Sequence, residues 1–187
     1  FAGVTIDVLT LGPAGAEVTL RRALALGADH AIHILSPENG FVPAEETASH
    51  IAKFINHANT DYKSGMISRR QGEGDAGVYK IRRGADDAAN KEIALIGNWY
   101  DLILFGVMSE DSMQSLTGPM TAAMCGLPCA AAVVDLTMAP ETRSLTAVCE
   151  LAGGLHETVR LHLPAVITVQ SGINQPRYAS LSNRLRA

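Results

Sequence analysis

The sequence predicts an α/β protein with a doubly wound, mostly parallel sheet, a β-rich C-terminal part and an inserted hairpin. Three observations carry this. Short β-branched or wholly apolar runs alternate with stretches of helical period in the first two thirds of the chain. The connections between the early runs are long enough for parallel crossovers. From Ser144 onward only strand patterns remain.

The first strand is predicted over residues 4–11, β-branched and apolar, and ends at Gly12-Pro13. At Glu17 the period changes: Leu20, Ala23 and Leu24 share one helical face, with Arg21 and Arg22 on the other and Gly27 placed for a left-handed cap. Residues 31–35 form the second strand and 44–57 a helix with Ile51, Phe54 and Ile55 on one face. Residues 58–86 are polar and rich in glycine and arginine, too long for an unstructured connection inside a compact domain. A hairpin is expected there, with Met66-Ile67 and Val78–Arg82 as its arms. A helix over 87–97, a strand over 101–105 ended by Gly106, a helix through Met124 and a strand over 130–136 complete the α/β part. Strands at 144–150, 157–163 and 165–169 follow, with a turn at Gly153-Gly154, and residues 174–187 form a basic tail.

The chain has 187 residues, enough for one domain with a sizeable core, and 18% are charged, with a formal net charge of -4. No basic surplus favours nucleic acid, and no apolar run approaches the roughly 20 residues of a membrane span. Three cysteines, Cys125, Cys129 and Cys149, fit neither a redox pair nor a zinc pattern and are expected as reduced core thiols. His50 and His57 lack an evident third metal ligand, and His30 and His33 point to opposite faces of a strand. No catalytic triad can be assembled. The sequence opens on Phe1, which predicts that the first strand of the fold lies outside it.

In an open parallel sheet, ligands sit beyond the C-terminal ends of the strands. Two loops qualify: Leu11 to Gly15, and Gly106 to Thr117, the second with hydroxyls at Ser109, Ser112, Ser115 and Thr117. Each leads into a helix N-terminus, whose free N–H groups and partial charge favour a phosphate by about 0.3–1 kcal/mol per interaction. Ordinary capping is the competing account of those hydroxyls.

Five motifs, in a constant order, resemble the electron transfer flavoprotein beta subunit. They are Leu20-Arg21-Arg22-Ala23-Leu24-Ala25-Leu26-Gly27-Ala28-Asp29, the segment 106–118, Glu150-Leu151-Ala152-Gly153-Gly154-Leu155, Leu163-Pro164-Ala165-Val166-Ile167-Thr168, and Asn174-Gln175-Pro176-Arg177-Tyr178-Ala179-Ser180-Leu181. The last is the most specific, because it has no simple structural cause. The bacterial branch that serves trimethylamine dehydrogenase looks most similar.

The resemblance implies one incomplete Rossmann-like, adenine-nucleotide-binding domain over 1–187, with an insertion at 58–86 and a recognition loop and tail at 169–187. It implies AMP held by Leu11, Gly106, Val107, Ser109, Asp111, Ser112, Ser115, Leu116 and Thr117. FAD sits mainly in an alpha subunit, with which this chain forms a heterodimer carrying electrons from a flavin dehydrogenase to an acceptor, without substrate chemistry of its own. The family loop is usually richer in aspartate and carries Asn-Gln before its Thr-Gly, where this chain has Ser115-Leu116. Side-chain contacts there differ, while backbone contacts survive.

Pro119 resembles an electron-bifurcating branch with a second FAD in the AMP site, but the accompanying Asp-Gly-Asp is absent, which favours AMP. A free-standing nucleotide module of universal-stress type shares the fold, yet its glycine pattern is not found after Gly106. Asn174, Pro176, Arg177, Tyr178 and Leu181 match the loop that grips dehydrogenases. A buried leucine anchor contributes about 1.5–3 kcal/mol, and packing of Leu181 against its own domain is the alternative. Glu150 matches a glutamate facing the mobile flavin domain, or is a buried-turn carboxylate. No nucleic acid or stable membrane insertion is implied. The expected location is cytoplasmic in a bacterium and the mitochondrial matrix in a eukaryote. The complete subunit would add an N-terminal strand and a C-terminal arm, so this portion alone is expected to expose an apolar interface and carry no FAD.

Overall fold

The computed structural model describes residues 4–36, 41–63, 78–82, 100–110, 112–175, 177–178 and 180. Two compact units divide the chain: Phe1–Phe41 with Asp61–Gly97 and Pro176–Ala187, and Val42–Thr60 with Asn98–Gln175.

In the first unit β1 (Asp7–Gly12), α1 (Glu17–Ala25), β2 (His30–Leu35) and β3 (Val78–Arg82) build a three-stranded sheet of order β1-β2-β3, parallel throughout. Helix α1 forms where the apolar period predicts it, and Leu20 and Leu24 pack with Ala31 of β2 against Val8 and Ala28. Arg21 reaches back one turn to Glu17 at 2.8 Å. The helix ends in a Schellman motif: Gly27 N–H donates to Leu24 C=O (3.0 Å) and Ala28 N–H to Ala23 C=O (3.2 Å). Its pivot is Gly27 at φ 109°, a conformation that L side chains rarely adopt.

In the second unit β4 (Leu102–Gly106), α3 (Thr117–Cys125), β5 (Cys129–Ala139), β6 (Ser144–Glu150), β7 (His156–His162) and β8 (Ala165–Val169) build a five-stranded sheet of order β4-β8-β5-β6-β7. β8 is parallel to both β4 and β5, whereas β5, β6 and β7 are antiparallel. Ala130, Val133, Leu145, Ala147, Cys149, Ala165 and Ile167 form the buried core on one face. Helix α2 (Ala44–Lys63) buries Ala48, Ile51, Ala52 and Ile55 at helical spacing, with Phe54 tilted against Tyr100, ring centroids 6.1 Å apart. α3 closes on a second Schellman motif at Gly126 (φ 65°), with Leu127 N–H donating to Ala122 C=O at 2.9 Å, and Pro128 follows.

The α/β class is as expected, and among the described residues the strands form one parallel and one mixed sheet. β8, last in sequence, takes a central place between β4 and β5. Its five residues Ala-Val-Ile-Thr-Val are apolar on both faces but for Thr168, which suits a strand covered on both sides. Val78–Arg82 is a strand as expected, but its observed partner is β2, in parallel. Met66-Ile67, the other arm of the expected hairpin, and the helix expected over 87–97 lie outside the described residues.

β5 carries two irregularities that its uniform Ala-Ala-Ala-Val-Val sequence does not announce. Register shifts fall between Ala130 and Val133 against β8, and between Val133 and Asp135 against β6. Ala132 adopts φ 51° at the first of them. Of the cysteines only Cys149 is buried; Cys125 is intermediate and Cys129 exposed. Burial pushes all three thiols above their usual pKa, aided at Cys129 by Cys149 and at Cys149 by Glu157. No helix among the described residues is long and apolar enough to cross a membrane.

Candidate functional site

The loop between β4 and α3 leaves the C-terminal end of a parallel strand pair. Val107 N–H donates to Val169 C=O at 3.0 Å, which carries the β4–β8 ladder one step past the strand and fixes where the loop begins. The loop then closes on itself. Ser109 N–H donates to Gln114 C=O (3.2 Å), Met113 N–H to Ser109 C=O (3.2 Å), and the Ser109 and Ser112 hydroxyls share a 2.7 Å bond. Met113 sits at φ 54° and is exposed, as is Leu116.

No side chain caps α3 at its N-terminus. Leu116, the residue before the helix, is itself in αR conformation. Thr117 is the first helical residue, and its carbonyl accepts the Thr121 hydroxyl at 2.7 Å. Met120 N–H is the donor that reaches back to Leu116 C=O (2.9 Å), and Pro119 has no N–H to offer. Ordinary capping therefore does not account for Ser115 or Thr117.

What brings α3 close to the strands is Gly118. A Cβ on this residue would stand 2.5 Å from Thr168 Cγ2 and 3.3 Å from Phe105 Cβ and Cγ. Phe105 and Thr168 are register partners on β4 and β8, so the first turn of the helix rests directly on both strands. Thr168 in turn accepts the Ala132 N–H at 2.9 Å, supplying the bond that the bulge removes from the ladder.

Leu11 belongs to the first unit, at the C-terminal end of β1 opposite Ile34, and is half-buried. Beside it the Gly12 carbonyl accepts two bonds, from Ser36 N–H (3.0 Å) and from His33 Nε2 (3.1 Å). Ala14–Ala16 forms a 3₁₀ turn that opens α1, again without a side-chain cap. Gly106, Val107, Ser109, Ser112, Ser115, Leu116 and Thr117 all lie on the second unit's loop and helix start, and Asp111 lies outside the described residues.

Glu150 ends β6 and is exposed, which rules against a buried turn carboxylate. Its Oε2 accepts a bond from Gln170 Nε2 at 2.9 Å. Of the recognition segment, Asn174, Arg177 and Tyr178 are exposed, while Pro176 and Leu181 lie outside the described residues. Ile173, just before it, packs against the second unit's core. The sequence does not single out Gln170, and it gives His33 only a strand face, not a partner. Neither stands in a recognisable pattern; each is defined by a partner about twenty residues away.

His30 pairs with Asp7 at 2.8 Å on the face of β2 opposite His33, as the strand alternation requires. His50 stands 3.8 Å from Glu46, and burial followed by Lys53 lowers its pKa. Among the described residues no group of three or more His, Cys, Asp or Glu side chains could hold a metal ion.

A family model described as the electron transfer flavoprotein domain matches residues 2–68 and 82–186. The chain is 32% identical over 182 residues to the electron transfer flavoprotein subunit beta of Bos taurus, covering 97% of this chain and 55% of that one. The subunit beta of Homo sapiens gives the same figures. That of Methylophilus methylotrophus is 29% identical over 178 residues, covering 95% of this chain and 52% of that one. The chain thus spans about half the length of the curated relatives it matches. The unmatched residues 69–81 fall in the glycine- and arginine-rich segment. Because the two matched stretches contain all three described helices and every described strand but β3, the chain belongs to the electron transfer flavoprotein domain family.

Proposed function

We propose that the chain is the nucleotide-binding portion of an electron transfer flavoprotein beta subunit. Paired with an alpha subunit that holds most of the FAD, it would carry electrons from a flavin dehydrogenase to an acceptor, and it is no enzyme in its own right. The observation that carries the reading is the platform at α3. There an uncapped helix start, held against β4 and β8 through Gly118, faces a loop whose hydroxyls lie at Ser109 and Ser112.

This donor set fits the phosphate of AMP. Gly106 and Val107 would line the loop's root, the Ser109–Ser112 hydroxyl pair, whose mutual bond uses one of its two protons, would offer the other to the anion, and the amides of Thr117 and Gly118 would face it. AMP supplies no redox chemistry, and its role is to hold the loop at the end of β4. The dehydrogenase would be held by Asn174, Pro176, Arg177, Tyr178 and the anchoring Leu181, with Ile173 securing the root of that segment. Glu150, exposed at the end of β6, would face the flavin-bearing domain of the alpha subunit.

Purified full-length heterodimer, denatured and analysed for released nucleotide, should yield one FAD and one AMP per dimer. Two FAD and no AMP would replace the AMP reading with the bifurcating one.

A further inference from the structure

We propose that Gln170 is a positioning residue for Glu150, fixing its carboxylate at the end of β6 and tying it to the backbone that carries the nucleotide loop. This rests on the reading of Glu150 as a residue that faces the flavin-bearing partner domain.

Glu150 lies where β6 turns into β7, opposite His156, and the turn is closed by Leu151 N–H donating to Leu155 C=O at 2.8 Å. An exposed glutamate at such a place has freely rotating side-chain bonds and would be spread over several rotamers. Gln170 removes that freedom. Its Nε2 donates to Glu150 Oε2 at 2.9 Å, and its Oε1 accepts Ser171 N–H at 3.0 Å. Both ends of the amide are engaged, and the chemistry fixes which way it points: the oxygen must meet the N–H, so the nitrogen must meet the carboxylate.

The backbone at this position is equally committed. Gln170 N–H donates to Val133 C=O at 2.9 Å, beside the bulge of β5. The preceding carbonyl, Val169, accepts Val107 N–H at the root of the nucleotide loop. Three residues further on, Ile173 packs on the core where the recognition segment begins. One residue therefore joins Glu150 to the strand bulge, to the loop and to the root of the docking segment.

The residue type matters as well. A carboxylate at position 170 would repel Glu150, and a cation would neutralise it. An amide holds it by a charge-assisted bond and leaves its negative charge for an outside partner.

The test uses full-length beta subunits carrying Gln170→Ala, Glu150→Ala or both, each assembled with the alpha subunit and checked for full flavin content. Dehydrogenase-coupled reduction is measured, with kcat and the KM for the heterodimer separated. Gln170→Ala should lower kcat ~3–10-fold, the ratio expected for one hydrogen bond to a carboxylate, and leave KM unchanged because the residues assigned to the dehydrogenase, from Asn174 to Leu181, are untouched. In the Glu150→Ala background the same substitution should change nothing. The side-chain amide resonance of Gln170 should also move when Glu150 becomes alanine. An amide resonance that stays put, or an equal loss in both backgrounds, overturns the positioning role. An amide resonance that moves while Glu150→Ala leaves kcat intact overturns the reading of Glu150, and the functional role of Gln170 with it.

Discussion

Thr168 and His33 are buried polar side chains, each in the C-terminal half of a parallel strand and each on a different unit. They are provided for differently. Thr168 supplies the missing acceptor for Ala132 N–H, and its methyl lies where the first turn of α3 comes down on the sheet. His33 donates through Nε2 to the Gly12 carbonyl, yet its Nδ1 has no hydrogen-bond partner among the described residues. An unpaired buried acceptor is worth about 1–3 kcal/mol of lost stability. The Thr168 hydroxyl and the Ala132 N–H thus satisfy each other, whereas among the described residues His33 carries one unmet acceptor beside the Gly12 carbonyl at the end of β1. The difference teaches that buried polarity can be either a device that closes a structural gap or one that leaves a gap to be closed.

The largest effect expected from this comparison is at Gly118. A methyl there would meet Thr168 Cγ2 at 2.5 Å, and Thr168 cannot turn away without releasing Ala132 N–H. Overpacking and a lost hydrogen bond together predict about 2–4 kcal/mol of destabilisation for Gly118→Ala, read from thermal unfolding of the full-length protein. Thr168→Ser removes the offending methyl and keeps the hydroxyl, so adding it should recover most of the loss. Failure of that rescue would mean that Phe105, not Thr168, sets the limit.

Much of this architecture is legible in the sequence, and the parts that are not share a cause. Gly27 and Gly126 mark the ends of α1 and α3 because left-handed caps leave a local trace. The strand ending at Gly106 and the helix after it place the loop at a sheet end from pattern alone. The bulge at Ala132 leaves no such trace, since three consecutive alanines read equally well as an unbroken strand. Nor does sequence order reveal that β8 inserts between β4 and β5. The loop's composition points to hydroxyl chemistry, but the Ser109–Ser112 bond and the missing helix cap are products of backbone geometry. Local signals report local structure, and the partners of Gln170, Thr168 and His33 are all distant in sequence.

A paired substitution sharpens the contrast. Thr168→Val keeps the shape and leaves the part-buried Ala132 N–H without its acceptor, which predicts a loss of about 1–3 kcal/mol. His33→Leu removes one bond to the Gly12 carbonyl, which keeps Ser36 N–H, and it also removes the unpaired Nδ1. Its predicted loss is smaller, about 0–1.5 kcal/mol. Unfolding midpoints of the two heterodimers decide the order. Were His33→Leu the costlier change, Nδ1 would have to find its partner in the complete assembly, and the contrast between the two corners would disappear.

The smallest effect is expected at the bulge itself. Ala132 occupies φ 51°, which costs an L residue roughly 1–2 kcal/mol in the left-handed region, whereas glycine takes it freely. Glycine also gives the unfolded chain more freedom, at about 0.5–1 kcal/mol, so Ala132→Gly should stabilise by no more than about 1.5 kcal/mol. The informative measurement is the same substitution beside Thr168→Val. If the threonine hydroxyl is what holds residue 132 in this conformation, valine frees the bulge to relax and alanine no longer bears the full strain. The gain from glycine should then shrink. An undiminished gain would show that the two register shifts of β5 hold the bulge without help from Thr168.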